Sequence, residues 1–318
     1  MRNRPLTTII MASASVLLFA TFTIPCWAQV SLSLAEPPQG GVGLKGAAPS
    51  QPVVTYNGIQ YNGGPVMNQV NGVNVYLIWY GNWSNNTEPD IVTDFVKNIG
   101  GTAYFNINTS YYDFNKFGGG VKDPVVNRVN FAGSVYDNYS LGTNLTDDNV
   151  AAVVGRHIGG PENFPVDPNG VYFVLTSKDV MEATFGTRFC GWHSYGIEPN
   201  NGNSGAGTPI KVAFIGDPDE FPAFCLVQNP SPNNNPAADT TVSYIAHELS
   251  ETVTDPLLNA WTNPGIIEMG DLCENSFGTT YLLPNGSRYN LRFGTRLYLV
   301  QQLWVNARGG YCALALDE

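Results

Sequence analysis

The sequence predicts an α/β fold: one large domain in which a mixed sheet carries packed helices and long loops. Three observations point there. Short, almost wholly apolar runs at Val73–Tyr80 (VNVYLIWY), Val171–Thr176 and Lys211–Ile215 have the length and the β-branched and aromatic content of buried strands. Between them, apolar residues recur at helical spacing. Asn-Gly and Gly-Gly steps punctuate the chain as turns, and no fixed-period repeat interrupts the pattern.

The elements follow in order. Residues 1–28 combine Arg2 and Arg4, an apolar stretch from about Ile9 to Ile24, and small-residue cleavage chemistry at Cys26 and Ala28, the pattern of a secretory signal peptide. The run falls short of the roughly 20 apolar residues of a membrane span, and no later segment spans a bilayer. Residues 29–52 are rich in Pro, Gly, Ala and Ser without a period and read as a disordered linker. The domain then occupies residues 53–318. Pro89–Ile99 sets Ile91, Val92, Phe95, Val96 and Ile99 on one helical face, and Thr146 caps a second helix through Val150, Val153 and Val154 to about His157. A third helix is predicted over Asp239–Thr254, capped by Asp-Thr-Thr, stopped by Pro256, and buried through Val242, Ile245, Ala246, Leu249 and Val253. Gly- and Asn-rich stretches at 118–120 and 199–207 read as long loops.

Charge narrows the partners. The net charge is −11, and loss of the two signal-peptide arginines takes it to −13. An acidic chain without clustered Lys and Arg excludes nucleic acid, because phosphate neutralisation needs such clusters. Removal of Cys26 leaves Cys190, Cys225, Cys273 and Cys312 in an oxidising compartment, where two disulfides are expected. Of the three pairings, locality favours Cys190 with Cys225 and Cys273 with Cys312. A zinc-thiolate cluster would call for closer Cys-x-x-Cys spacing.

The chemistry concentrates on the third helix. His-Glu-x-x-His peptidases place two zinc ligands one turn apart on a helix, and the intervening Glu activates water. Here the string is His247-Glu248-Leu249-Ser250-Glu251, with Glu in the second ligand position, and carboxylate oxygen also binds zinc. Asp255 continues the four-residue spacing. Past the helix, Asp271 and then Glu268 are the candidates to complete the set, on backbone that a disulfide at Cys273 would hold. The expectation is a zincin-like Zn2+ site with His247, Glu251 and Asp271 or Glu268 as ligands and Glu248 as general base. An oxygen-rich set also suits calcium or manganese, and an exposed charged helix face would display the same string. His193, crowded by Cys190, Trp192 and Tyr195, reads as structural ahead of a ligand or general-acid role, and His157 at a helix end complements the helix dipole. Asp217, Asp219 and Glu220 read as a turn. Asn-x-Ser/Thr sequons occur at Asn82, Asn85, Asn108, Asn138, Asn144 and Asn285.

Four segments carry a resemblance: YNGGPVM at 61–67, VNVYLIWYGNW at 73–83, CGWHSY at 190–195 and TVTDPLLNAW at 252–261. Together the chain resembles the EXORDIUM-like, or phosphate-induced protein 1, family. The resemblance implies a secreted, extracellular or cell-wall protein associated in plants with growth. It also implies that His193 belongs to a shared scaffold, while His247, Glu248 and Glu251 mark this branch as a microbial-type member. Two functions stand against each other: a secreted metal-dependent peptidase or other hydrolase, and a non-catalytic wall-associated protein binding a glycan or surface partner through its Tyr, Trp and Asn side chains.

Overall fold

The computed structural model describes residues 30–39, 41–43, 58–114, 120–161, 163–199 and 207–317. The signal peptide, residues 44–52 of the expected linker and most of the two long loops lie outside them. At the centre is a five-stranded mixed sheet of β1 (Val73–Tyr80), β2 (Val129–Asp137), β3 (Gly170–Thr176), β4 (Gly191–Glu198) and β5 (Thr208–Ile215), in the spatial order β2-β1-β3-β5-β4. All neighbours run parallel except β5 and β4, so β4 is an antiparallel edge strand. The central strands are continuous apolar runs because they are covered on both faces.

Three helices pack on this sheet. The first, α1 (Glu88–Ile99), begins with Pro89 in its first turn and buries Ile91, Val92, Phe95, Val96 and Ile99. In α2 (Asp147–Arg156), Thr146 and Asn149 form a reciprocal capping box, which satisfies two of the amide groups a helix start leaves unpaired. The third, α3 (Pro236–Thr254), packs on β4, β5 and α1. It starts three residues before the predicted Asp239, because Asn235 is the cap, accepting from the Ala238 amide, and Pro236 takes the first helical position. Downstream of α3 the chain forms short two-stranded ribbons, Leu291–Phe293 with Arg296–Tyr298 and Leu303–Val305 with Tyr311–Ala313. The disulfides join Cys190 to Cys225 and Cys273 to Cys312. No described helix is long and apolar enough to cross a membrane.

One expectation is corrected. Residues 30–39 and 41–43, read as disordered linker from their composition, lie along the free edge of β4. Leu34 and Gly43 form antiparallel bridges to Gly196 and Phe189, and Leu32 and Val42 are 2% and 4% exposed. Composition misleads here because the edge strand supplies the backbone partners that the segment lacks by itself. Asn108 is also buried, donating to Phe105 and Ser250, so its sequon is not a surface site.

Candidate metal centre

Every residue of α3 from Ala237 to Thr254 is buried. Its apolar face is the predicted one, but the polar face, which an amphipathic reading would leave in water, is sealed as well. One helical turn aligns His247 with Glu251, and their Nε2 and Oε1 atoms lie 3.0 Å apart. Asp271 enters from the short 3-10 turn Asp271–Cys273, with Oδ1 3.5 Å from His247 Nε2. Glu251 Oε1 also accepts from the Gly270 and Asp271 amides at 3.0 and 3.1 Å, which ties that turn to the helix. Glycine is required at 270: a Cβ there would stand 2.8 Å from both Glu251 Oε1 and His247 Nδ1.

Edge strand β4 supplies the second histidine. His193 Nε2 is 3.0 Å from Glu268 Oε2 and 3.8 Å from Glu251 Oε2, so the two oxygens of Glu251 face two different imidazoles. One ligand atom from each of His247, Glu251 and Asp271 falls within 4.8 Å of the others, and the same holds for His193, Glu248 and Glu251. Glu248 has one oxygen, Oε1, accepting from the Val42 amide at 3.1 Å. Its other oxygen has no protein partner, nor do Glu251 Oε2, Glu268 Oε1, His193 Nδ1 or either ring nitrogen of His247, whose 3.0 Å contact is not aligned as a hydrogen bond.

The electrostatics are those of a site with too few positive charges. Among the described residues no Lys or Arg pairs with these carboxylates; the one such pair, Arg296 with Asp94, lies elsewhere. Burying a carboxylate unpaired costs several kcal/mol, about the scale of a protein's entire stability margin. Burial, reinforced by neighbouring carboxylates, therefore drives Glu248 and Glu268 well above the usual carboxylate range. Burial also pushes Glu274, next to the cluster, up to about 7. His247 answers the same field. Burial alone would lower it, but Glu251, Asp271 and Glu248 together raise it well above the imidazole range. His193 goes the other way, down to about 4, because burial and His247 outweigh the attraction of Glu251.

The structure thus brings His247, Glu251 and Asp271 together with Glu248 beside them, while Glu268 lies against His193. Asp255 stands apart: its Oδ1 accepts from the Asn259 and Ala260 amides at 2.6 Å, terminating α3. Sequence reasoning placed a structural role for His193 ahead of a ligand or general-acid one, because β4 itself was missed. Its strand runs GWHSYGIE, and His193 in that register shares a face with the helix. A divalent cation fits this donor set: it would supply the missing charge and partners for the orphaned ring nitrogens and oxygens. With mixed imidazole and carboxylate donors, zinc and manganese both qualify.

Comparison with known proteins places the chain. The family model described as the phosphate-induced protein 1 conserved region matches residues 59–313. Protein EXORDIUM-like 3 of Arabidopsis thaliana is 29% identical over 285 residues, covering 80% of this chain and 82% of its own. Protein EXORDIUM-like 5 of the same plant is 31% identical over 285 residues, covering 77% and 75%. Both relatives are plant proteins and lend no support to a microbial-type assignment. No solved structure matches the chain, so the zincin-like likeness is without support.

Proposed function

The chain belongs to the phosphate-induced protein 1 family, and on that premise we propose that it is an extracellular metal-dependent hydrolase acting on peptide bonds. Its divalent cation, zinc in this reading, is held by His247, Glu251 and Asp271. The observation that carries the reading is the buried cluster itself: two histidines and several carboxylates whose ligand atoms converge, with no Lys or Arg to offset them. The two disulfides agree with an oxidising compartment.

Each residue has a role that its position supports. His247 and Glu251 present donor atoms from one face of α3, and Asp271 is fixed opposite them by the Glu251 contacts to its turn. His193, paired with Glu268, stands 3.8 Å from the other oxygen of Glu251 and adds an imidazole to the rim of the site. When bound, the cation supplies Lewis acidity and lowers the pKa of water towards neutrality. Glu248 is the base: it takes a proton from water as the water oxygen adds to the peptide carbonyl carbon. It then delivers that proton to the amine nitrogen as the C–N bond breaks.

The test is the metal content of the purified protein by elemental mass spectrometry, alongside His247→Ala. About one ion per chain, lost in the variant, supports the reading. Absence of metal from wild-type protein expressed with zinc and manganese supplied overturns it. The second reading, a wall-associated glycan binder, rests on a different place: an open groove where Tyr136, 60% exposed, lies with Trp79, Asp90, Asp94, Lys97 and Arg296. An aromatic face ringed by polar side chains suits a sugar.

A further inference from the structure

The free edge of β4 is occupied by the chain's own N-terminal segment, and that segment ends on the candidate base. Leu34 bridges antiparallel to Gly196 near one end of the strand, and Gly43 bridges antiparallel to Phe189 just before the other. The Ala35 amide donates to the Tyr195 carbonyl at 2.8 Å, Ser194 Oγ donates to the Glu36 carbonyl at 2.7 Å, and the Cys190 amide donates to the Val42 carbonyl at 2.7 Å. At its far end the Val42 amide donates to Glu248 Oε1. Gly43 comes so close to Glu274 that a Cβ would meet Oε1 at 2.6 Å. Val42 and Gly43 also form one wall of a pocket completed by Leu226, Tyr244, Glu274 and Phe277.

This is how an extended peptide binds a sheet edge: backbone hydrogen bonds supply affinity, and pockets take alternate side chains. We propose that the edge of β4 is a binding groove for an extended peptide, and that residues 30–39 and 41–43 lie in it as a tethered ligand covering Glu248. The contacts select the peptide. At Gly41, with φ +105°, a Cβ would sit 2.6 Å from the Gly191 carbonyl oxygen, so the groove takes glycine there. At the next position it takes a small apolar side chain, as it takes Val42. Peptide binding stands without the hydrolase reading; cleavage of the bound peptide rests on it.

Two full-length variants dislodge the segment by different means. Gly41→Val drives a side chain into the Gly191 carbonyl, and Leu32→Asp puts a charge among core residues. The probe is a fluorescent peptide of residues 31–43, SLSLAEPPQGGVG, followed by anisotropy against wild type and both variants. A tethered ligand acts at an effective concentration in the millimolar range, so displacing it should tighten binding of the free peptide by on the order of 100-fold. Hydrogen exchange at the Cys190 amide should accelerate in the same variants. Folded variants that bind the peptide no better than wild type overturn the proposal. So does failure of both variants to fold, because the segment is then a structural strand and not an exchangeable ligand. Metal-loaded variants that bind the peptide yet cleave neither it nor a casein-derived peptide mixture leave the groove standing and remove the hydrolase reading.

Discussion

His193 on the edge strand and Glu268 in the loop after α3 meet with Nε2 3.0 Å from Oε2, both sealed from solvent. The contact matters because the same imidazole lies 3.8 Å from Glu251 Oε2, and the other oxygen of Glu251 faces His247. Glu251 is held through Oε1 by the Gly270 and Asp271 amides, while Oε2 stands open towards His193, free to take a cation.

Loss of the His193 imidazole should weaken metal binding without abolishing it. His193→Ala is expected to lower affinity by about 10- to 100-fold, the usual effect of removing a group next to the ligands. His247→Ala should abolish binding. Competition with a chelator of known affinity measures both. Equal affinity in wild type and His193→Ala would place His193 outside the site's energetics.

Glu248→Gln separates holding the metal from doing chemistry. The amide keeps the shape and can still accept from the Val42 amide through its oxygen, but it cannot take up a proton. Metal content should be unchanged, and peptide turnover should fall by about 100- to 10,000-fold. Retained turnover would exclude Glu248 as the base.

Cys273 lies between Asp271 and Glu274, and its bond to Cys312 ties this turn to the C-terminal ribbon. The double variant Cys273→Ser, Cys312→Ser is expected to lose about 2–5 kcal/mol of stability. It should also bind metal more weakly, since the turn that carries Asp271 would then be held by hydrogen bonds alone. Denaturant unfolding with and without metal checks both: the stabilisation that metal provides should shrink in the variant.

Much of this architecture was legible in the sequence. Val73–Tyr80 is a strand with the predicted bounds, and α1 and α2 begin and end within a residue of expectation. These elements announce themselves because their periodicity and caps are local. Strand β4 did not: GWHSYGIE mixes polar and small residues, since one edge meets the N-terminal segment and one face meets the charged cluster. The HELSE string singled out α3, and its one-turn spacing does bring His247 and Glu251 within 3.0 Å of each other. Local pattern is silent, however, on whether the polar face of α3 is wet or buried. That depends on Gly270, Glu268 and His193, brought from outside the helix.

A last expectation concerns a buried acid outside the candidate metal centre. Glu88 opens α1 at 1% exposure, with Oε2 unpartnered. Burial, with Asp217 adding to it, pushes its carboxyl from 4.5 up to about 8, with the nearby Thr241 hydroxyl opposing. The folded chain therefore keeps a proton that the unfolded chain releases. The stability this gives is fully present below about pH 4.5 and is lost as pH rises towards 8. Each pKa unit corresponds to about 1.4 kcal/mol, so the loss amounts to a few kcal/mol at most. Glu88→Gln is neutral throughout and escapes it. Thermal unfolding of the two proteins should coincide near pH 4, and the variant should become progressively more stable than wild type up to pH 8. Metal linkage is common to both and cancels in the difference. A difference in Tm that stays flat with pH would mean that Glu88 is ionised in the folded chain and paired with a cation.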